Sequence, residues 1–420
     1  MQLALMDCNN FYASCEKAFD PRLARVPVVV LSNNDGCIIA RSGEAKELGV
    51  PMGAPEFKCR EMFRRLGVAV LSSNYALYGD MSARVMATAG AMVPRMEVYS
   101  IDEAFLDLSG LPGGPERAAR EIRRAVLRAT GIPVSIGAGP TKTLAKAANK
   151  LAKKDASLGG VLVLPDGETG REEFLARVEV GDVWGIGPRH ARRLRERGVL
   201  TALDFTRLPR DLVRKKMTVG GLHTWLELRG TPCIPLEMAP RPKKAIVSSR
   251  SFGRPVTALE EMREAVSQYA ARAAEKLRAQ KGLAASILVW VQTNTFIEGE
   301  PQYSGVTSLA LCPPTAHSAS IVSRGVEALE SIFRAGYRYK KAGVMLSGIE
   351  SEAGAQLSLL GEPDPRRDRL MQTLDRVNAR WGRGTLFPAA CGVERPWSMK
   401  QARRSPRYTT CWSELPVAYA

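Results

Sequence analysis

The chain has 420 residues, of which 45% are hydrophobic and 25% charged, a composition typical of folded proteins that divide into several domains. Lys and Arg number 60 against 43 acidic residues, so the net charge of +17 favours a polyanionic partner, nucleic acid first and an acidic membrane surface second. The sequence has no apolar run near the ~20 residues that cross a bilayer, no signal-peptide pattern, and no C-x-x-C pair among its eight cysteines, which argues against membrane, secreted and zinc-framework proteins and predicts a cytoplasmic location.

The N-terminal part of the chain predicts a strand, a helix and an inserted region. Residues 3–7 form an apolar run that ends in Asp7 and predict a strand, and residues 11–19 predict a short helix. Residues 20–92 form the inserted region. Its β-branched runs on either side of an Asp-Gly turn predict a hairpin, and its composition predicts helices at 41–48, 56–65 and 74–92.

An adjacent acidic pair, Asp102 and Glu103, lies between two predicted strands, and a helix and a further strand follow it. These elements are predicted at 96–101, 104–108, 116–129 and 133–139. With the first strand and helix, the order is β-α-β-β-α-β, that of a ferredoxin-like sheet with residues 20–92 inserted in its first crossover.

This topology predicts that the first three strands are adjacent and that Asp7, Asp102 and Glu103 meet at one end of the sheet. Carboxylates held this close repel one another unless a cation lies between them. Oxygen ligands select Mg²⁺, with Mn²⁺ as an alternative, and a cluster that holds two ions about 3.5–4 Å apart supports in-line phosphoryl transfer. An acidic pair alone is more often a solvated turn, so the prediction depends on the surrounding elements.

A Gly-rich turn at 137–140 precedes a predicted helix that runs to about residue 154. One face of this helix carries Lys142, Lys146, Lys150 and Lys153. The pattern is consistent both with an anion site at the helix N-terminus and with a solvated charged face.

Gly185 and Gly187 flank an apolar residue in a predicted hairpin before a basic helix at 189–197. Such a hairpin presents backbone N–H groups and the positive end of a helix to a phosphate. The sequence therefore predicts a helix-hairpin-helix that binds DNA backbone, with a bare turn as the alternative.

Pro-rich residues 233–242 predict a linker to a second β-α-β-β-α-β module at 243–350. We interpret this module, which lacks buried carboxylates, as a surface for nucleic-acid backbone, and its candidate contacts are Lys243, Lys244, Arg250 and Arg254.

Residues 351–420 are less regular. The string Gln356, Leu357, Leu359 and Leu360 predicts either a docking peptide or a short edge strand. Residues 395–413 hold five basic residues and no acid, together with two tryptophans, and predict a flexible contact with nucleic acid or a partner.

Three motifs together resemble the Y-family, or translesion, DNA polymerases: Asp7 with Phe11-Tyr12-Ala13-Ser14, the run Ser100-Ile101-Asp102-Glu103-Ala104-Phe105, and the Gly185-Ile186-Gly187 hairpin. The segments 32–37 and 405–410 resemble the UmuC-type catalytic subunit of bacterial DNA polymerase V. This resemblance covers essentially the whole chain and implies an α+β, multidomain right-hand polymerase. The implied parts are a ferredoxin-like palm (1–19 and 93–165), small fingers (20–92), a helix-hairpin-helix thumb (166–232), the linker (233–242), an α/β little finger (243–350) and a C-terminal tail (351–420).

The resemblance also implies roles for individual residues. Asp7, Asp102 and Glu103 would be the catalytic metal ligands, with the Cys8 carbonyl as a further ligand. The implied nucleotide contacts are Phe11 and Tyr12, of which Tyr12 lies under the deoxyribose and excludes a 2′-hydroxyl, and Lys46 and Lys153 on the triphosphate.

The implied activity is error-prone translesion synthesis in the SOS response to DNA damage, on primer-template DNA with deoxynucleoside triphosphates. The implied partners are a UmuD-type dimer, a RecA filament and the β sliding clamp, the last bound by the string at Gln356. Two alternatives stay open: a non-catalytic polymerase-like DNA-binding accessory subunit, and a nucleotidyl cyclase, in which the basic modules would have no role.

Overall fold

The structure, a computed structural model, describes residues 2–165, 167–239, 241–354 and 365–415. Contacts divide the chain into two units, of which the first contains residues 1–32, 36–240 and 403–420 and the second contains residues 33–35 and 241–402. The second unit begins inside the predicted linker, and the predicted C-terminal tail is divided between the units. Within the described ranges, no helix is both long enough and apolar enough to cross a membrane.

The first unit contains strands and helices in the following chain order: β1 (Leu3–Cys8), α1 (Phe11–Phe19), β2 (Val28–Leu31), β3 (Ile38–Arg41), α2 (Gly43–Glu47), α3 (Glu56–Arg65), β4 (Ala69–Ser72), α4 (Tyr75–Gly90), β5 (Met96–Val98), β6 (Glu103–Asp107), α5 (Gly114–Thr130), β7 (Val134–Gly139), α6 (Lys142–Lys154), β8 (Val161–Val163), α7 (Glu168–Ala176), α8 (Pro188–Arg195), α9 (Ala202–Thr206) and α10 (Arg210–Leu228). The second unit contains β9 (Ile246–Val256), α11 (Leu259–Ala279), β10 (Gly282–Thr293), β11 (Ser304–Thr315), α12 (Ser318–Ile332), β12 (Tyr339–Ser351) and α13 (Pro365–Trp381).

The first unit is organised around a five-stranded sheet in the order β5-β6-β1-β7-β8. β1 pairs antiparallel with β6 and β7, and β8 joins parallel to β7. The predicted β-α-β-β-α-β order is confirmed. The expectation that the first three strands are adjacent is confirmed, with the third strand, β6, between β1 and β5.

Side-chain alternation gives the two faces of this sheet different neighbours. Ala4 and Met6 belong to the core formed with α4 and α5, whereas Leu5 packs with Phe105 of β6 and Ala145 of α6. Helix α6 comes so close to β7 that a Cβ at Gly137 would lie 1.9 Å from the backbone nitrogen of Asn149, so only glycine fits there. Because Asp7 follows Leu5 by two residues, it lies on the α6 face.

The inserted region has its own three-stranded sheet, β3-β2-β4, with a separate small core. Helices α7 to α10 share a third core with α6. In the inserted region the hairpin and the helices follow the prediction closely, whereas β4 was not predicted; α7 and α10 were not predicted either.

The second unit contains a four-stranded antiparallel sheet in the order β11-β10-β12-β9. Helices α11 and α12 pack against it. Of the two tryptophans in segment 395–413, Trp397 is only 3% exposed and belongs to this core, whereas Trp412 is 90% exposed. The expectation of a flexible contact segment is therefore wrong at Trp397, whose apolar indole packs in the core.

Candidate active site

The predicted metal ligands lie at one end of the five-stranded sheet. Asp7 of β1 and Glu103 of β6 are directly opposite each other. The Cys8 N–H donates to the carbonyl oxygen of Asp102 over 2.8 Å, which extends the pairing into the turn that carries Asp102. Strand register therefore brings the three predicted ligands to the same sheet end, as the sequence indicated.

Lysines of α6 hold two of these carboxylates. Lys153 Nζ contacts Asp7 Oδ1, and Lys146 Nζ donates to both carboxylate oxygens of Glu103 over 3.0 Å. The third acid, Asp102, accepts a hydrogen bond of 2.7 Å from Ser100 Oγ. Each acid thus has its own partner. In the part of the chain that the structure describes, no three His, Cys, Asp or Glu side chains lie close enough together to hold a metal ion.

The electrostatics of this sheet end favour an added cation. Burial raises the pKa of Asp7 to about 6, Lys153 opposes that rise, and the charges of Glu103 and Asp102 add to it. Burial also raises the pKa of the Cys8 thiol, which disfavours a thiolate there. The three carboxylates are hard oxygen donors, the kind that fits Mg²⁺ or Mn²⁺.

The two aromatic residues at the start of α1 have different surroundings. Asn10, with φ +52°, lies between the end of β1 and the start of α1 as the N-cap of the helix. Phe11 is 4% exposed and packs in the core, whereas Tyr12 is half-buried. The Tyr12 ring stacks on that of Tyr78 with centroids 4.4 Å apart and an angle of 12°. Of the two aromatic residues among the predicted nucleotide contacts, only Tyr12 presents a side chain at the surface.

Three basic side chains are gathered near Asp7. Burial, together with the positive charges of Arg41 and Lys153, lowers the pKa of Lys46, and Asp7 opposes this effect. Arg41 donates to the Val50 carbonyl, and its Nε is buried without a hydrogen-bond partner within the described residues. Sequence reasoning missed Arg41, although a basic residue that ends a buried apolar strand was the available signal. Arg41, Lys46 and Lys153 together suit a polyphosphate.

A carboxylate of the chain itself occupies the N-terminus of α6. The carboxylate of Glu227, from α10, accepts from the Thr143 N–H over 2.9 Å, and the Thr141 hydroxyl donates to the Glu227 carbonyl. The α6 lysines are not a uniformly solvated face either, because Lys142 is 2% exposed and paired with Glu97, whereas Lys153 is exposed and paired with Asp7. Both interpretations of this helix need correction: the chain supplies its own anion, and the lysines pair with acids of the sheet and the neighbouring loops.

The predicted hairpin has the expected geometry. Gly185 has φ +91°, and a Cβ there would lie 2.6 Å from Thr224 Oγ1, while Ile186 is buried. Gly187 precedes α8, whose first turn has no side-chain cap. Nothing lies within 4 Å of a Cβ built on Gly187, so the backbone there is open to a ligand.

The basic residues predicted to contact DNA in the second unit are all exposed: Lys243, Lys244, Arg250 and Arg254. Arg254 forms an ion pair with Glu261, so its charge is partly compensated. The predicted clamp-binding string, Gln356, Leu357, Leu359 and Leu360, lies outside the described residues.

Comparisons with known proteins agree with the motifs. Family models match residues 6–150 (impB/mucB/samB family), 243–359 (impB/mucB/samB family C-terminal domain) and 368–418 (a domain of unknown function, DUF4113). The chain is 48% identical to Protein UmuC of Salmonella typhimurium over 98% of this chain and 99% of that protein. It is 30% identical to DNA polymerase IV of Desulfatibacillum aliphaticivorans over 92% of this chain and 95% of that protein.

The fold is also that of solved structures. A Y-family DNA polymerase chimera of Dbh and Dpo4 superposes with a TM-score of 0.65 at 22% identity, covering 84% of this chain and all of the other.

Proposed function

Because the chain belongs to the impB/mucB/samB family and is a translesion DNA polymerase of the Y family, we propose that it extends a primer opposite damaged template with Asp7, Asp102 and Glu103 as its catalytic residues. The observation that carries this proposal is the register, which places Asp7 opposite Glu103 and beside the Asp102 turn. DNA polymerases act on primer-template DNA with deoxynucleoside triphosphates, and the basic groups near Asp7 suit the triphosphate.

Y-family polymerases use divalent metal ions. In this chain the carboxylates of Asp7, Asp102 and Glu103 and the Cys8 carbonyl would hold two of them, Mg²⁺ with Mn²⁺ as an alternative. Bound ions of this kind lower the pKa of the attacking 3′-hydroxyl and neutralise charge on the leaving pyrophosphate. The two carboxylate-bound lysines would then lose their present partners.

Lys153 and Lys146 are therefore expected to exchange partners when substrate binds. Lys153, released from Asp7, is near Lys46 and Arg41, and the three cations together would bind triphosphate oxygens. Tyr12 would lie under the deoxyribose and leave no room for a 2′-hydroxyl. The small inserted region would enclose the base pair loosely, and a loosely filled site admits damaged templates while it discriminates poorly between bases.

The backbone contacts would come from Gly185 and Gly187, and from Lys243, Lys244, Arg250 and Arg254. We also propose a cytoplasmic enzyme of the SOS response that works with a UmuD-type dimer, a RecA filament and the β sliding clamp. These partners are supported by family membership alone.

The test is primer extension on an abasic template with Mg²⁺. Wild type and Asp102→Ala are compared, each with and without a UmuD-type dimer, activated RecA and ATP. Extension by wild type only, with equal binding of primer-template by both proteins, is expected. Equal behaviour in extension as well would instead favour the non-catalytic accessory subunit.

A further inference from the structure

A buried polar cluster lies behind Tyr12. Tyr78 of α4 is fully buried and stacks on Tyr12, and its hydroxyl donates to Glu16 Oε1 over 2.6 Å. Glu16 is 1% exposed. Tyr12 and Glu16 are four residues apart on α1 and so lie on the same helix face. Tyr78 is therefore held at its ring by one residue of α1 and at its hydroxyl by the other.

The cluster continues into the C-terminal segment, residues 403–408. Burial raises the pKa of the Glu16 carboxyl, and Tyr78 and the nearby Ser405 side chain oppose the rise. Asn74, which caps α4 by accepting from the Leu77 N–H, donates to Ser405 Oγ over 2.9 Å. Ser405 is therefore bonded to the start of α4 and lies near the buried acid of α1.

Further contacts keep this segment in place. Asn74 Nδ2 also lies 3.1 Å from the carbonyl oxygens of Ser405 and Pro406. The Tyr408 ring stacks on Phe19, the last residue of α1, with centroids 5.1 Å apart and an angle of 6°. Both helices that carry the stacked pair, α1 and α4, are thus tied to the same C-terminal segment.

We propose that Glu16, Tyr78 and Ser405 are positioning residues that set the ring plane of Tyr12 and thereby the discrimination between deoxyribonucleotides and ribonucleotides. The inference rests on the proposed role of Tyr12 at the sugar. The stacked Tyr12 ring is held in place only if the Tyr78 ring beneath it is held in place. The hydrogen bond from Tyr78 to Glu16 prevents the Tyr78 ring from sliding or turning. Exclusion of a single hydroxyl depends on such small displacements, since it is steric.

The experiment measures kcat/KM for a deoxynucleotide and for the matching ribonucleotide with the full chain and the activating partners. Tyr78→Phe keeps the stack and removes the hydroxyl, and Ser405→Ala removes the C-terminal hydroxyl. The ratio of the two efficiencies is expected to fall about three- to tenfold in each, the size of effect that one lost hydrogen bond produces. The loss should come from better ribonucleotide insertion, because a merely structural defect would lower both efficiencies together.

Tyr75→Phe is the matched control. Tyr75 meets Tyr12 edge-on with centroids 6.1 Å apart, and its hydroxyl has no hydrogen bond within the described residues. The ratio of deoxynucleotide to ribonucleotide efficiency in Tyr75→Phe is expected to stay within about twofold of wild type. The same is expected of Glu16→Gln, because its amide oxygen still accepts from Tyr78.

Tyr12→Ala separates this inference from the proposed function. If Tyr12→Ala loses discrimination but Tyr78→Phe and Ser405→Ala behave like Tyr75→Phe, the positioning role is overturned and the role of Tyr12 stands. If Tyr12→Ala keeps wild-type discrimination, Tyr12 is not at the sugar and both assignments are overturned.

Discussion

The two larger sheets of this protein have the same element order, β-α-β-β-α-β, but they differ in how they are covered and in whether their units contain buried charged side chains. In the five-stranded sheet of the first unit the central strands β1 and β6 are covered on both faces. The four-stranded sheet of the second unit has helices α11 and α12 on one face, while the residues that alternate with its core, such as Val247 and Val306, are exposed. Among the described residues, every buried charged side chain belongs to the first unit: Glu16, Glu56, Glu97, Asp107, Lys142 and Glu227.

The difference shows that element order alone does not decide what a sheet can do. Strand order differs as well, because the first strand is central in the five-stranded sheet and lies at an edge in the four-stranded sheet. A central first strand can place a residue near its end, Asp7, beside the connection between the second and third strands. Covering both faces then lowers the effective dielectric around that sheet end, which strengthens electrostatic interactions there.

The sharpest test of this comparison uses the equivalent connections of the two sheets. Asp102 lies in the β5–β6 connection, and Glu298 is exposed in the β10–β11 connection. Asp102→Ala is expected to lower the rate of nucleotide insertion by about 10³-fold, since a metal ligand supplies several kcal/mol of transition-state stabilisation. Glu298→Ala should change it by less than about twofold. Single-turnover primer extension measures both, and a comparable loss in the two variants would contradict the assignment of chemistry to the first sheet.

A second test concerns how α6 is anchored over the first sheet. Glu227 is fully buried and accepts from three backbone N–H groups, those of Thr143, Cys233 and Ile234. Glu227→Ala is expected to lower the free energy of unfolding by about 3 kcal/mol, because it leaves buried donors unpaired. Urea unfolding measures the change.

The control for that test is Glu172→Ala, at an exposed position of α7. Its expected effect is below about 0.5 kcal/mol. If the two variants unfold at the same urea concentration, Glu227 does not anchor α6.

A third test addresses the surface of the second unit. The double variant Lys243→Ala with Lys244→Ala is expected to weaken primer-template binding about tenfold. It should also reduce the slope of log Kd against log salt by about 1–2, because each lost lysine–phosphate contact means that fewer counterions leave the DNA on binding. Fluorescence anisotropy across a salt series measures both quantities. Arg254→Ala is the comparison, since its ion pair with Glu261 already compensates its charge, and it should have the smaller effect. The reverse order would mean that Arg254 leaves Glu261 to bind phosphate.

The smallest expected effect is the pH dependence of stability without metal. The folded pKa of Asp7 is about 6, raised from 3.8, so its contribution to stability is full below 3.8 and is lost as pH rises through 6. In EDTA, Asp7→Asn should therefore raise the unfolding midpoint by about 2–4 °C at pH 7.5 and by less at pH 5.

Asp107, on the same sheet, provides a control of opposite sign. Against the effect of burial, hydrogen bonds from Ser109 and Arg95 lower its pKa, so its contribution is present at neutral pH and is lost as pH falls through the folded value. Asp107→Asn should lower the midpoint at pH 7.5. A stabilising effect of Asp107→Asn would show that the sign assignments are wrong.

Much of this architecture could be predicted from local patterns. Apolar runs and glycine punctuation placed the strands around Asp7 and Asp102 to within a few residues, and the Gly185 hairpin followed from its spacing alone. The helix α6 was also found, but its partners were not, because lysines at helical spacing look the same whether they face solvent or a buried acid. Arg41 and Glu227 were missed for a related reason: their roles come from neighbours that are distant in the chain.

Local periodicity and turn chemistry in the sequence therefore determined the strands and helices and the positions of the acidic residues on them. Tertiary structure alone decided that Glu227 occupies the α6 N-terminus and that Asn74 is hydrogen-bonded to Ser405 across 331 positions of chain. The physical reason is that a side chain's charge, burial and partners are set by long-range packing, whereas a short window of sequence fixes only backbone preference and the side on which a residue points.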